Sequence, residues 1–191
     1  MSGPHDSDVA SGGPRVGPAE RDELGPVNSL LVRLAGRLAR TRQPPNLFTT
    51  MGRNRGLFRR WLLFAGALMP GGGLPRRDTE LVILRVSHLT GAEYEAVHHR
   101  RMGLAAGLTV EQVEAAAADD VSAGPFSTRQ ALLLRAVDEL LAADAIGPGT
   151  FSELRRQLSD RDLVELCMLA GHYRMLAGLI NSLGIESDVH R

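Results

Sequence analysis

The sequence predicts an all-α domain, and three observations carry that prediction. Apolar residues recur at spacings of three and four along most of the 191-residue chain. Hydroxyl residues followed three positions later by an acid or amide mark helix starts, and glycines mark helix ends. No stretch alternates apolar and polar residues over strand length, and aromatic residues make up only 4%, so strands have little to be built from.

The elements follow in chain order. Residues 1–25 are rich in Gly, Pro, Ser and Asp with almost no large apolar side chain, a composition that does not offset its ordering entropy. A disordered tail is expected there, followed by a single helical domain over 26–191. Leu30, Leu31, Leu34 and Leu38 place a first amphipathic helix over 27–38, with Arg33, Arg37 and Arg40 on its other faces. Pro44-Pro45 ends it, and Asn46-Leu47-Phe48 begins a short turn or helix. Leu57, Phe58, Trp61, Leu62, Ala65 and Leu68 form the broad stripe of a second main helix, with Arg59 and Arg60 turned toward solvent or a subunit boundary.

Met69-Pro70-Gly71-Gly72-Gly73 breaks that helix. It lacks the Lys-Ser/Thr ending of a phosphate-binding loop and follows a helix rather than a strand, so it reads as a flexible turn. Pro75 suits the first turn of the next helix, which carries Asp78 and Glu80 near its positive end and runs to Leu89. Gly91 separates it from a helix over 92–106, and Gly107 suits the left-handed cap beyond. The pairs Thr109/Gln112, Ser127/Gln130, Thr150/Glu153 and Ser159/Asp162 then start four helices, over 110–118, 128–143, 151–158 and 160–183, the last ending at Gly184.

Composition excludes several function classes. Lys+Arg and Asp+Glu are equal at 22 each, so no net field draws the chain to nucleic acid or an anionic membrane. Cys167 is the single cysteine, which rules out an intramolecular disulfide framework. The N-terminus has no apolar core of a signal peptide, and the apolar run 61–69 is too short to span a bilayer. A soluble, cytoplasmic protein without membrane or nucleic-acid partners is the expectation.

The chemistry-bearing side chains concentrate in residues 74–108. Glu95 and His99 are four apart and share a helix face, so the carboxylate can fix the imidazole tautomer and raise its basicity. Glu95 also precedes His98 by three. Tyr94, His98 and Arg101 form a neighbouring stripe, and Arg85 on the preceding helix can bind a substrate carboxylate if it turns inward. The bland alternatives are a solvated helix pair for Glu95 and His99, a dipole preference for Glu80, and solvated or intersubunit charges for the arginines. Glu95-x-x-His98 has the spacing of di-iron bundles, but no second such pair occurs, so no metal site is expected.

The segment GGLPRRDTELVILRVSHLTGAEYEAVHHRRMGLAAGLTVEQVEA resembles the core of the carboxymuconolactone decarboxylase and alkylhydroperoxidase D superfamily. The resemblance extends from about Pro45, through residues 57–68, to the C-terminal CMLAGHYRMLAGLINSLGIE. It implies an all-α fold, a homo-oligomer that is usually a trimer or hexamer, and a pocket between the two central helices. The peroxidase branch uses a Cys-x-x-Cys pair flanked by a glutamate and a histidine. Carried over by spacing, these fall on Glu80 and His99, while the thiol positions fall on Ala92 and Glu95. With both thiols missing, the cysteine peroxidase mechanism is unavailable there. Cys167 is expected in the core of the last helix.

The decarboxylase branch implies no metal or organic cofactor. It requires electrons to be held as a developing enolate and carbon to be protonated. The resulting expectation is a cofactor-independent acid–base enzyme acting on a small organic acid, lactone or polyketide-like carbonyl compound. His99 is assigned as proton donor or acceptor, Glu80 and Glu95 as its carboxylate partners, and His98 with Tyr94 as oxyanion stabilisers. Arg85, Trp61 and Tyr173 complete the substrate-binding set. The alternatives are a non-catalytic oligomeric ligand-binding member or, behind it, an alkylhydroperoxidase-like antioxidant protein.

Overall fold

The computed structural model describes residues 13–38 and 43–188. The described residues form nine helices and no strand: α1 (Arg21–Leu38), α2 (Asn46–Met51), α3 (Arg55–Leu68), α4 (Arg76–Leu89), α5 (Glu93–Ala105), α6 (Val110–Ala116), α7 (Thr128–Ala143), α8 (Pro148–Leu154) and α9 (Asp160–Leu183).

α4 is the centre of the bundle, with α5, α7, α9 and α6 packed around it. Every residue from Asp78 to Ser87 is buried, so the helix has no solvent face and its polar side chains must find partners inside. On one side Val82, Ile83 and Val86 join Phe58, Trp61, Leu133, Leu166 and Leu169 in the main core. On the other, Leu81 and Leu84 meet Leu108, Val113, Ala116 and Leu134 in a smaller one. α5 lies against α4 with Gly103 at the contact, where an added Cβ would sit 3.0 Å from Leu108 and 3.7 Å from the Glu80 Cβ. That close approach sets the spacing across which α4 and α5 side chains meet.

Three of the four expected helix starts have the reciprocal capping box: Thr109 with Gln112, Ser127 with Gln130, and Ser159 with Asp162. The fourth differs. α8 begins at Pro148 with Gly147 as its cap, because the Thr150 hydroxyl donates instead to Glu139 Oε1 at 2.5 Å. Gly184 closes α9 in the left-handed conformation, and Gly91 and Gly107 adopt positive φ as expected from their positions.

The N-terminal region departs from expectation. Residues 1–12 lie outside the described residues. Beyond them, the Arg15 and Val16 amides donate to the Leu183 carbonyl at 2.9 and 3.1 Å, and Ala19 and Leu24 are buried. α1 begins at Arg21 but is bent at Gly25, whose φ of 72° breaks the helical run just before Pro26. The periodicity legible from 27 onward therefore marks the second of two helical pieces. Its inner face is Asn28, Ser29 and Val32, while Leu30 and Leu34, expected inside, stand 51% and 43% exposed.

α9 carries an 18-residue window of mean hydropathy 1.3, long and apolar enough by length and composition to cross a membrane. Half of that window is buried within the fold, which is what a core helix of this length requires. Its outer face bears Val164, Met168 and Met175. Cys167 lies on this exposed face and not in the core as expected, since burial falls on Leu163, Leu166, Leu169 and Ala170.

Candidate active site

The site is a line of charge between α4 and α5 that ends at a cavity. Arg76 and Glu80 are one turn apart on α4, with Arg76 NH2 2.6 Å from Glu80 Oε1 as a charge contact that is not aligned as a hydrogen bond. Glu80 is fully buried, and its Oε2 lies 2.6 Å from His99 Nδ1. On the far side of the ring, His99 Nε2 lies 3.1 Å from Glu95 Oε2, one turn back along α5. Both imidazole nitrogens therefore face carboxylates, an arrangement that suits two N–H donors and hence the charged ring. Burial opposes that charge, but the hydrogen bonds and fields of Glu80 and Glu95 outweigh it and push His99 up to about 9.

Glu95 and His99 both meet the cavity, and Glu95 is where the line ends. One of its oxygens is held by His99, while Oε1 is buried without a hydrogen-bond partner. The cavity measures about 160 Å³ and is walled by Pro45, Phe48, Trp61, Met69, Met102 and Leu176, among others, with a polar end of Tyr94, Glu95, His98, His99, His172 and Tyr173. Its aromatic side is built outward from the core: Phe58 stacks under Trp61 at 6.0 Å, and Trp61 stacks on His172 at 6.0 Å. Phe58 itself supports the wall without lining it. The Tyr173 ring meets His99 edge-on at 5.1 Å. Trp61 Nε1 and His172 Nδ1 are, like Glu95 Oε1, buried and unpartnered. Burial holds His172 below its ordinary range, with a smaller opposing pull from Glu95.

A second carboxylate–imidazole pair borders the same cavity. His98 Nε2 lies 2.6 Å from Asp188 Oδ1, not against Glu95, and the Tyr94 hydroxyl donates to Asp188 Oδ2 at 3.2 Å. The Asn46 amide adds a donor to Asp188 at 2.7 Å. Burial pushes the Asp188 carboxyl up, but the His98 and Asn46 hydrogen bonds outweigh it and hold it below the usual range. Desolvation, followed by the Asp188 field, raises Tyr94 well above an ordinary phenol. Tyr94 and His98 are thus neighbours of the reacting space, as their spacing indicated, but they are tied to a partner that the sequence did not single out.

Arg85 is not part of the site. It is buried on another face of α4, where Nε meets Asp138 at 2.5 Å and NH1 donates to the Ala118 carbonyl at 2.5 Å. It ties α7 to the C-terminal end of α6 and holds no substrate carboxylate. Glu80, Glu95, His98, His99, Tyr94, Trp61 and Tyr173 do converge. Arg76, His172 and Asp188 complete the group. His172 was legible beside Tyr173 on the last helix as a pocket-lining or buried hydrogen-bonding residue and Arg76 by its spacing of four from Glu80, whereas Asp188 had no local signal.

The carboxymuconolactone decarboxylase family matches residues 55–139, a span that contains Trp61, Glu80, Glu95, His98 and His99. Over those residues the chain is similar to the carboxymuconolactone decarboxylase family, which supports its likeness to the carboxymuconolactone decarboxylase and alkylhydroperoxidase D-like superfamily. No curated protein sequence matches the chain. Among solved structures of similar fold, an uncharacterised peroxidase-related protein from Silicibacter sp. TM1040 superposes with a TM-score of 0.79 at 17% identity, covering 88% of each chain. An uncharacterised peroxidase-related protein from Ralstonia eutropha JMP134, described as an alkylhydroperoxidase AhpD core, gives 0.80 at 18% identity over 91% of this chain and 93% of that one. The debrominase Bmp8 gives 0.73 at 16% identity, covering 91% and 92%. At these identities the likeness is one of fold.

Proposed function

We propose that this chain is a cofactor-independent acid–base enzyme in which Glu95 moves protons at a substrate carbon and the His99–Glu80 pair sets its charge. The observation that carries this reading is the Glu80–His99–Glu95 line, which ends in an unpartnered carboxylate oxygen on a mostly apolar cavity wall. His99 was the expected proton carrier. With both ring nitrogens against carboxylates, it serves as a positioning and charge-holding group, and Glu95 takes the exchange role.

For a proton transfer next to a carbonyl, Glu95 Oε1 accepts the proton and the C–H electron pair moves to the carbonyl oxygen as an enolate. Glu95 then returns the proton to carbon. For a decarboxylation, the breaking C–C bond supplies the pair, CO2 leaves, and Glu95 passes to the carbon a proton it takes up from solvent, ending as a carboxylate again. Trp61 Nε1, a buried donor without a partner on a residue of the same cavity wall, is available to the developing oxyanion in both cases. All 22 residues counted as Lys+Arg are arginines, so no lysine is present to form a Schiff base with a carbonyl substrate.

The test uses small lactones and β-keto compounds in D2O, with turnover and deuterium at carbon read by NMR. Wild-type exchange or decarboxylation that is lost in Glu95→Gln supports the reading, and unchanged rates in that variant remove it. A ligand-binding protein without catalysis predicts binding but no exchange. The peroxidase alternative is weakened by Cys167, which lies on the outer face of α9, does not line the cavity, and has a thiol pushed up by desolvation. We further propose a cytoplasmic homo-oligomer, a trimer or hexamer. The exposed apolar side chains Leu30, Leu57 and Leu63 on α1 and α3, and Val164, Met168 and Met175 on α9, support association. Light scattering of the purified chain measures the assembly, and a monomer at micromolar concentration excludes it.

A further inference from the structure

The cavity has a size, a polarity and a charge that together restrict what it accepts. At about 160 Å³ it is close to the roughly 150 Å³ apolar cavity that admits benzene, so its occupant is about one ring in size. No arginine lines it. The cationic groups nearby are already committed: His99 lies between Glu80 and Glu95, Arg76 contacts Glu80, and Arg85 is held by Asp138 and by carbonyls away from the cavity. His98 is held by Asp188. Tyr94 and Tyr173 are both raised above the ordinary phenol range, first by desolvation, and so remain neutral. An entering carboxylate would meet the Glu95 carboxylate with no free cation to offset the repulsion, at a cost set by the low local dielectric.

The unpartnered atoms specify the complement. Glu95 Oε1 is an acceptor that asks for a donor, Trp61 Nε1 is a donor that asks for an acceptor, and His172 Nδ1, on a ring whose charged form burial disfavours, takes either role according to its tautomer. All three belong to residues less than one-tenth exposed that line the cavity, and leaving any of them unsatisfied in a complex carries a desolvation cost. We propose that the site binds a neutral, ring-sized molecule carrying one hydrogen-bond donor and one carbonyl-type acceptor, and that it discriminates against the isosteric carboxylate. The inference rests on the assignment of Glu95 as the cavity's carboxylate. It narrows the substrate from organic acids in general to lactone-like or enolisable carbonyl compounds presented uncharged.

Benzamide and benzoate have nearly the same shape and differ in charge and in the amide donor, which makes them the probe pair. Trp61 is the only tryptophan, so the full-length 15N-labelled chain gives one indole N–H resonance at the cavity wall. Titration at pH 7 is expected to shift that resonance with benzamide at least about tenfold more tightly than with benzoate. In Glu95→Gln the ratio is expected to fall below about threefold, because the repelling charge is gone. Benzoate binding as tightly as benzamide, no indole shift with benzamide at its solubility limit, or an unchanged ratio in Glu95→Gln would each overturn the proposal. The wild-type ratio stands even if the variant misfolds. Failure here leaves the acid–base reading to be judged by turnover, and loss of that reading leaves the binding ratio intact.

Discussion

α4 carries two buried charge clusters that look alike in sequence and differ in function. Around Arg85, the guanidinium contacts Asp138 and the Ala118 carbonyl, with the Ala116 and Asp119 carbonyls at 3.4 and 3.5 Å, so its donors are consumed by the fold. Around Glu80, the chain of contacts runs from Arg76 through His99 to Glu95 and stops with an oxygen that the protein leaves without a partner. A closed cluster stabilises a junction between helices, whereas an open one keeps interaction strength for something that binds. The difference lies in whether the last polar atom is satisfied, and burial alone does not reveal it.

Substitution can break that comparison. The largest effect is expected at the open end: Glu95→Gln should lower turnover about 10²–10⁴-fold while thermal melting and circular dichroism show a retained fold. Activity within a factor of two of wild type would show that the unpartnered oxygen is incidental. At the closed cluster the balance reverses. Arg85→Ala should cost about 2–4 kcal/mol in chemical denaturation, by stranding buried carbonyls and the Asp138 carboxylate. A change under about 0.5 kcal/mol, the usual range for surface substitutions, would mean that solvent replaces the guanidinium and the cluster is not closed.

The open cluster also has a pH signature. His99 is raised from 6.5 to about 9 in the folded chain, so its pairing contributes fully below 6.5 and is lost as pH rises through about 9. The contribution is on the order of 3 kcal/mol, and melting temperature should fall between pH 7 and 9.5. Glu80→Gln should flatten that slope by removing one of the carboxylates that hold the proton, and an equal slope in both proteins would assign the pH dependence to other groups. The smallest effect is expected from Gly103→Ala. The added methyl must displace Leu108 and nudge α5 from α4, costing about 1 kcal/mol in denaturation. A shift in the His99 side-chain NMR signals should accompany it, and no shift would uncouple helix spacing from the charge line.

Much of this was legible in the chain because its signals are local. The capping boxes at Thr109, Ser127 and Ser159 are four-residue devices, and the Glu95–His99 pair is a single helical turn. Thr150 failed as a cap because a residue eleven positions earlier, Glu139, captured its hydroxyl, a competition no local window contains. Arg85 was misplaced for a similar reason. α4 is buried on every face, so its period does not indicate which side faces a cavity. Asp188 was invisible because its link to His98 spans 90 positions and follows no spacing rule. Cys167 and the Leu30–Leu34 face illustrate a limit of apolar patterning: a helix with apolar residues on more than one side does not announce which of them is inside.

The burial of α4 on every face from Asp78 to Ser87 bears on how the site reassembles after denaturation. A helix with no solvent face has no stable seat until α5, α7 and α9 have gathered around it, and its own fourteen residues are marginal as an isolated helix. Glu80 reaches His99 only in that final arrangement. Formation of the Glu80–His99 contact on refolding should therefore coincide with the last change in tertiary signal and lag behind helix content, making the His99 side-chain NMR signals a clock for the closing step of assembly.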